Sequence, residues 1–133
     1  MVTMALEKIQ PSTIHEARGY THVVKAAGAQ TVYISGQVGV APDGSVADGI
    51  EAQAKQAFSN LNACLVAAGA TAANVAKITI LVVDYSPDVR PALLAARQGL
   101  FDADSPPAST LIGVQALAQP NLLIEVEAIA VLG

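Results

Sequence analysis

The segment VAKITILVVDY, residues 75–85, is the sequence feature that most constrains the fold. Aliphatic and β-branched residues occupy both alternating faces of this predicted strand. A strand of this kind is typical of a sheet that is covered on both sides. The segments before and after it must therefore supply at least part of that cover.

A first helix is predicted immediately upstream of this strand. Asp48 and Glu51 have the spacing of a capping box, in which an N-cap side chain and a side chain three residues later bond to each other's backbone. Apolar residues then recur at helical spacing until Gly69: Ile50, Ala54, Ala57, Phe58, Leu61, Leu65 and Ala68. The spacing predicts a helix with one buried stripe.

A second helix is predicted downstream, over residues 88–101. Pro91 is tolerated because it falls in the first turn, where the backbone N–H has no helical partner. The apolar stripe comprises Val89, Leu93, Ala96 and Leu100. This helix can cover the same sheet as the first.

Five further strands are predicted from alternating or β-branched runs. The third in chain order breaks at Ser35-Gly36, which indicates a bend or bulge, and Asp43-Gly44 forms a turn after it. The runs are LEKIQ, YTHVVKA, TVYISGQVGV, STLIGV and LLIEVEAIAVL. The fold class is therefore α+β, with two helices on one face of a mixed sheet. The other face would expose a large apolar patch, so we expect sheets from several subunits to pack face to face.

Composition excludes several classes of function. The chain of 133 residues is 53% hydrophobic and 14% charged, and no apolar run approaches the roughly 18 residues of a membrane helix. The net charge of −4, with seven scattered basic residues, gives no electrostatic footprint for nucleic acid or a membrane surface. Because no secretory signal is visible, a cytoplasmic location is expected. Cys64 is the single cysteine, predicted to be an apolar helix residue, so an internal disulfide is excluded.

Several motifs, in their order and spacing, resemble the Rid family, the RidA/YjgF-like reactive intermediate deaminases often described as L-PSP endoribonucleases. The resemblance covers nearly the whole chain and rests on RGYTHVV, VYISGQVGVAPDGSV, QAKQAFSNLNACLVAAGA, VAKITILVVDY and PPASTLIGVQALAQPNLLIEVEAIA. It implies a chorismate-mutase-like fold over a single domain, residues 1–133. It also implies a homotrimer with the sheets packed inside and three ligand clefts between subunits, and neither a cofactor nor a metal is expected.

One residue departs from the family pattern. Deaminating members carry an arginine after the PA of this motif, where its guanidinium holds the carboxylate of a 2-imino acid in a bidentate pair. This chain has Ser109 there. We expect Arg90 and Arg97 to lie on a solvated helix surface, and Arg18 is the one cation considered for the cleft.

The last predicted strand carries two acids, Glu125 and Glu127, on one face. The resemblance makes Glu125 the catalytic acid that faces the ligand and directs water to the imine carbon. A partly buried carboxylate without a cation suits general acid/base chemistry. A structural acid satisfied by backbone N–H groups or by another subunit is the alternative, which we favour for Glu127.

The resemblance assigns the remaining ligand-binding positions. Tyr20 corresponds to the tyrosine that closes over the ligand, and His22 shares its strand face. Ser35 corresponds to the cleft floor, and backbone groups at Thr110 and Leu111 hold ligand and water. His15 has no evident partner in the sequence, so a two-histidine metal site is not predicted. Gly36 and Gly113 are interpreted as structural, through backbone geometry and close strand approach respectively.

Two functions from different classes follow. The first is a Rid-family enzyme of the hydrolase type that converts an imine or enamine to a carbonyl compound and ammonia, but that is not an efficient 2-imino acid deaminase because of Ser109. A substrate without a carboxylate, oriented by neutral hydrogen bonds, fits that cleft. The second is a non-catalytic module that binds or senses a small metabolite. RNA cleavage is disfavoured by the net acidity.

Overall fold

The computed structural model describes residues 3–133 and contains the six strands and two helices expected from the sequence. The strands are β1 (Ala5–Ile9), β2 (Val23–Ala27), β3 (Gln30–Val38), β4 (Val75–Val83), β5 (Ala108–Val114) and β6 (Ile124–Leu132). The helices are α1 (Gly49–Ala67) and α2 (Arg90–Gln98). The α+β class and the chain order of the elements are therefore confirmed.

Four strands form the main sheet, in the order β3-β6-β4-β5. Strand β6 is antiparallel to both of its neighbours, whereas β4 and β5 are parallel. A parallel pair needs a long crossover connection, and α2 lies in that connection. Strands β1 and β2 form a separate antiparallel pair.

Both helices lie on one face of the main sheet. Helix α1 buries Ala54, Ala57, Phe58, Leu61 and Leu65. The sheet meets them with Ile78, Ile80, Val82, Ile124, Val126 and Ala128, all of which are buried. The predicted stripe of α2 packs against the same core, and its most buried member is Leu93.

The predicted capping box at the start of α1 is wrong. Asp48 occupies the N-cap position but makes no side-chain hydrogen bond to the helix. Gly49 has a φ of +85°, a left-handed conformation that turns the chain between Asp48 and the first helical turn. That turn accounts for the missing hydrogen bond.

The opposite face of the sheet is not covered by the chain itself. On β4, Thr79 and Leu81 alternate with the buried residues and remain partly exposed. Tyr33 on β3 is 77% exposed, and Ile112 on β5 is 43% exposed. Cover on this face by other subunits stays a prediction. No helix within residues 3–133 is long and apolar enough to cross a membrane.

Candidate functional site

A cavity of about 450 Å³ lies on the helix side of the sheet, between α2 and β5. Its volume falls in the range of roughly 300–1,000 Å³ that is usual for small-molecule sites. The loop between β1 and β2 contributes Arg18, Gly19 and Tyr20 to its wall. Three elements that are distant in sequence therefore form one cavity.

Strand β5 carries three of the predicted ligand-binding residues. Two of them line this cavity and the third does not. Ser109 and Leu111 pair with Ile78 and Ile80, which face the helices, and both line the cavity. Thr110 lies on the opposite face, where its hydroxyl accepts a hydrogen bond of 2.5 Å from Lys77 Nζ. Because β5 is an edge strand, the backbone groups along its outer edge have no strand partner among residues 3–133.

Tyr20 belongs to a small aromatic cluster at the cavity wall. Its hydroxyl lies 3.1 Å from His15 Nε2, and the His22 ring packs edge-on to Tyr20 at 5.2 Å between centroids. His22 Nε2 in turn donates a 2.8 Å hydrogen bond to the backbone oxygen of His15. The sequence offered no evident partner for His15, and the structure supplies one because the loop folds back and places its ring beside Tyr20. His22 supports this cluster but does not line the cavity.

The carboxylates of β6 lie on the other face of the sheet, as their spacing predicts. Glu125 is half-buried and Glu127 is exposed, whereas Ile124 and Val126 between and beside them are buried against α1. No ion pair within residues 3–133 involves either acid. Glu125 is consequently a half-buried carboxylate without a cationic partner among the residues that the structure describes.

The predicted bulge in β3 is confirmed and lies directly beside Glu125. The register between β3 and β6 shifts between Ile34 and Gln37, around Ser35 and Gly36. Gly36 lies in this bulge, although its φ is not positive. A Cβ at that position would lie only 2.5 Å from Glu125 Cδ. Gly36 thus provides the space that the Glu125 carboxyl group occupies, and the exposed Ser35 precedes it.

Gly113 provides space of a similar kind on β5. A Cβ there would lie 3.2 Å from Tyr85 Cβ, so the close neighbour is the segment that follows β4 rather than another strand of the sheet. The prediction of a structural role fits this contact. The sequence did not indicate that Tyr85 would be the residue that approaches Gly113.

Arg97 contradicts its predicted place on a solvated helix surface, whereas Arg90 remains exposed as predicted. Arg90 and Arg97 both line the cavity, Arg90 as an exposed residue at its rim. Arg97 is half-buried, and its Nη2 donates a 2.7 Å hydrogen bond to the backbone oxygen of Gly19. Burial lowers the pKa of the Arg97 guanidinium from its ordinary value. The seven-residue spacing of the pair, two helical turns around the apolar Leu93, is the signal that would have placed them on this face.

The predicted site residues therefore fall into two groups. Tyr20, Ser109 and Leu111 line the cavity, whereas Glu125 and Thr110 lie across the sheet from it. Glu125 is not among the residues that line the cavity of its own chain. A ligand that contacts both groups needs to bind at an edge of the sheet or between subunits.

Comparison with known proteins identifies one matching family and relatives of known name. The model of the family described as endoribonuclease L-PSP matches residues 11–132. The human 2-iminobutanoate/2-iminopropanoate deaminase is 36% identical over 106 residues, which are 78% of this chain and 74% of the human protein.

Two solved structures share the fold over almost the full chain. A Yersinia pestis protein of unknown function from the conserved Rid family superposes with a TM-score of 0.85 at 37% identity, covering 96% of this chain and 98% of the other. RidA from an Antarctic Psychrobacter species gives a TM-score of 0.71 at 30% identity, with 95% and 99% coverage.

Proposed function

The chain belongs to the Rid family, the family described as endoribonuclease L-PSP, and from this membership we propose that it hydrolyses an imine or enamine of a small metabolite. The products are a carbonyl compound and ammonia. The human relative named as an imino acid deaminase supports this class of reaction. No cofactor is needed, because water attacks the imine carbon directly.

The catalytic assignment depends on the surroundings of the Glu125 carboxyl group. The bulge at Gly36 leaves room for its carboxyl group, which is half-buried and forms no ion pair within the described part of the chain. Such a group suits an acid/base that takes a proton from water and returns it to the departing nitrogen. Ser35, Thr110 and the backbone beside them are proposed to hold ligand and water.

Ser109 limits how well the cavity can hold the carboxylate of a 2-imino acid. A hydroxyl cannot form the bidentate, charge-assisted pair that an arginine makes with a carboxylate. We therefore propose that the protein is not an efficient deaminase of 2-iminopropanoate or 2-iminobutanoate. Tyr20 is proposed to orient the ligand from the cavity wall, and His22 is proposed to assist binding by holding Tyr20 through their edge-on packing.

The assembly proposed is a homotrimer with the sheets packed inside, in the cytoplasm, with no nucleic acid or membrane partner. The uncovered sheet face, with the exposed Tyr33 and Ile112, supports burial by other subunits. Clefts between subunits also account for the position of Glu125, which lies across the sheet from the cavity of its own chain. They allow Glu125 of one subunit to face a ligand that contacts the cavity of another.

The test follows ammonia and carbonyl release from 2-iminopropanoate and from a panel of neutral imines generated in situ. Glu125→Gln keeps the size of the side chain but removes the base, and we expect at least about a 100-fold loss of kcat. Glu127→Gln is the matched control, since it makes the same change two residues along the same face. Equal activity of both variants would refute the role of Glu125.

A non-catalytic binding module is the second candidate, favoured by the absence of an anchoring arginine at Ser109. Ser109→Arg separates the two. If the wild type is inert on every imine and Ser109→Arg gains activity on 2-iminopropanoate, the catalytic machinery is intact and the natural substrate lies elsewhere. If neither protein accelerates any imine, the binding module is the correct assignment.

A further inference from the structure

The cavity between α2 and β5 is unusually basic for an acidic protein. Arg18, Arg90 and Arg97 line it, and no Asp or Glu does. The ion pairs found within residues 3–133 leave Arg90 and Arg97 without a carboxylate partner. Arg18 contacts Glu16 at 3.8 Å on the exposed surface. Among residues 3–133, no carboxylate therefore neutralises the charges of Arg90 and Arg97 at this cavity.

Arg97 is held in place for an incoming ligand. Its hydrogen bond to the Gly19 backbone oxygen engages one N–H of the guanidinium and fixes the side chain against the loop that carries Tyr20. The other N–H groups of the planar fork are left for a partner with two oxygens. Burial removes part of the water that would otherwise solvate this charge, which the lowered pKa reflects. A bound anion would restore that lost solvation.

The rest of the wall is apolar and aromatic. Tyr85, Leu93, Leu94 and Leu111 face the space, and the volume of about 450 Å³ is much larger than a three-carbon imino acid requires. A ligand that fills it needs an apolar body as well as a polar group. The positive charges of the wall lie on α2 and on the loop between β1 and β2, whereas Ser109 on β5 is neutral.

We propose that this cavity binds a small organic anion, whose carboxylate or phosphate group pairs with Arg97 and Arg90 and whose apolar body packs between α2 and β5. The inference deepens the proposed function by naming the ligand class, and it rests on that function only for the claim that the ligand is turned over. The proposed cationic anchor lies on helix α2, whereas the corresponding position on strand β5 carries the neutral Ser109. A ligand is therefore recognised by an anionic group at the α2 wall rather than at Ser109.

Binding is measured by calorimetry with three probes of similar body: 3-phenylpropanoate, phenyl phosphate and the neutral 3-phenylpropanol. We expect one or both anions to bind and the alcohol to bind at least about tenfold more weakly. A preference between the two anions identifies the group as a carboxylate or a phosphate. The affinity for the anion falls as salt is raised from 50 to 300 mM, because added ions screen the arginines.

Arg97→Gln is expected to weaken anion binding by about 10- to 100-fold, the usual effect of removing a charged hydrogen-bond donor. Arg90→Gln should give a smaller loss, because this residue lies exposed at the rim. Lys55→Gln removes the same charge from an exposed position of α1, outside the cavity, and should bind as the wild type does. Arg97→Lys keeps the charge but not the fork, so an intermediate affinity in a folded protein shows that geometry matters as well.

The inference is overturned if the alcohol binds as tightly as the anions, if no probe binds to the wild type, or if both glutamine variants keep wild-type affinity. Ammonia release, measured in parallel, separates this result from the proposed function. Unchanged anion affinity in the arginine variants with normal imine turnover refutes the anion site alone. Anion binding without any turnover refutes the hydrolase and leaves the anion site standing.

Discussion

Replacement of Gln53 by methionine tests how α1 fixes the start of strand β6. Gln53 is 2% exposed, and its amide joins three backbone groups. Nε2 donates to the backbone oxygens of Ala47 and Asn121 at 3.1 and 2.9 Å, and Oε1 accepts from the Leu123 N–H at 2.8 Å. Leu123 lies two residues before Glu125. The side chain is thus the polar link between the helix and the loop that leads into β6.

Methionine has nearly the same length but makes none of these hydrogen bonds. Each backbone group left without a partner costs about 1 kcal/mol at the low end of the usual range, which applies because water reaches part of this loop. The loss is therefore about 3 kcal/mol in the free energy of unfolding, or about 10 °C in Tm. Urea unfolding at fixed protein concentration measures it.

Gln56→Met on the same helix is the control. The amide of Gln56 donates to the Asn60 side chain, and this hydrogen bond links residues of the same helix, one turn apart. We expect a loss of about 1 kcal/mol, because one hydrogen bond is removed rather than three. A Gln53→Met protein as stable as Gln56→Met would refute the reasoning, because the three backbone groups would then have found other partners at no cost.

Three further predictions follow from single contacts. Gly36→Ala should reduce imine turnover by displacing the Glu125 carboxyl group, which lies where the new methyl group would be, and steady-state kinetics measure the loss. Phe101→Ala should destabilise the protein by about 3–5 kcal/mol in urea unfolding, because it empties a buried ring site packed edge-on to an aromatic ring of α1. Ser45→Ala should raise the pKa of Asp43 toward its ordinary 3.8 in an NMR titration, because the Ser45 hydroxyl and N–H both donate to that carboxylate.

Each of these has its own control. Gly44→Ala changes a glycine with open space around it and should leave turnover unchanged, although its φ of +89° will cost some stability. Val66→Ala truncates an exposed apolar residue of α1 and should cost less than about 0.5 kcal/mol. For Asp43, the native contact stabilises the fold above pH 3.8 and is lost as the pH falls through the lowered pKa. A pKa unchanged in Ser45→Ala would show that the hydroxyl is not the cause.

Local patterns determined much of what was predicted correctly. The alternation in β6 predicts that Glu125 and Glu127 share one face, and the break at Ser35-Gly36 predicts the bulge. Both are properties of a few consecutive residues, because the direction of a side chain in a strand follows from its position alone. The order of helices and strands, and with it the α+β class, is available from sequence for the same reason.

Tertiary structure decided what those faces meet. Arg97 was predicted to face solvent, but α2 lies beside the edge strand and brings this side chain to the cavity wall, where it is half-buried. His15 gained Tyr20 as a partner, and Gly36 proved to be next to the Glu125 side chain. Gly36 and Glu125 belong to different strands, and Arg97 on α2 meets the loop before β2, whereas His15 and Tyr20 meet because that loop folds back on itself. Periodicity fixes the face that a side chain takes, whereas the neighbour on that face depends on how segments distant in sequence pack together.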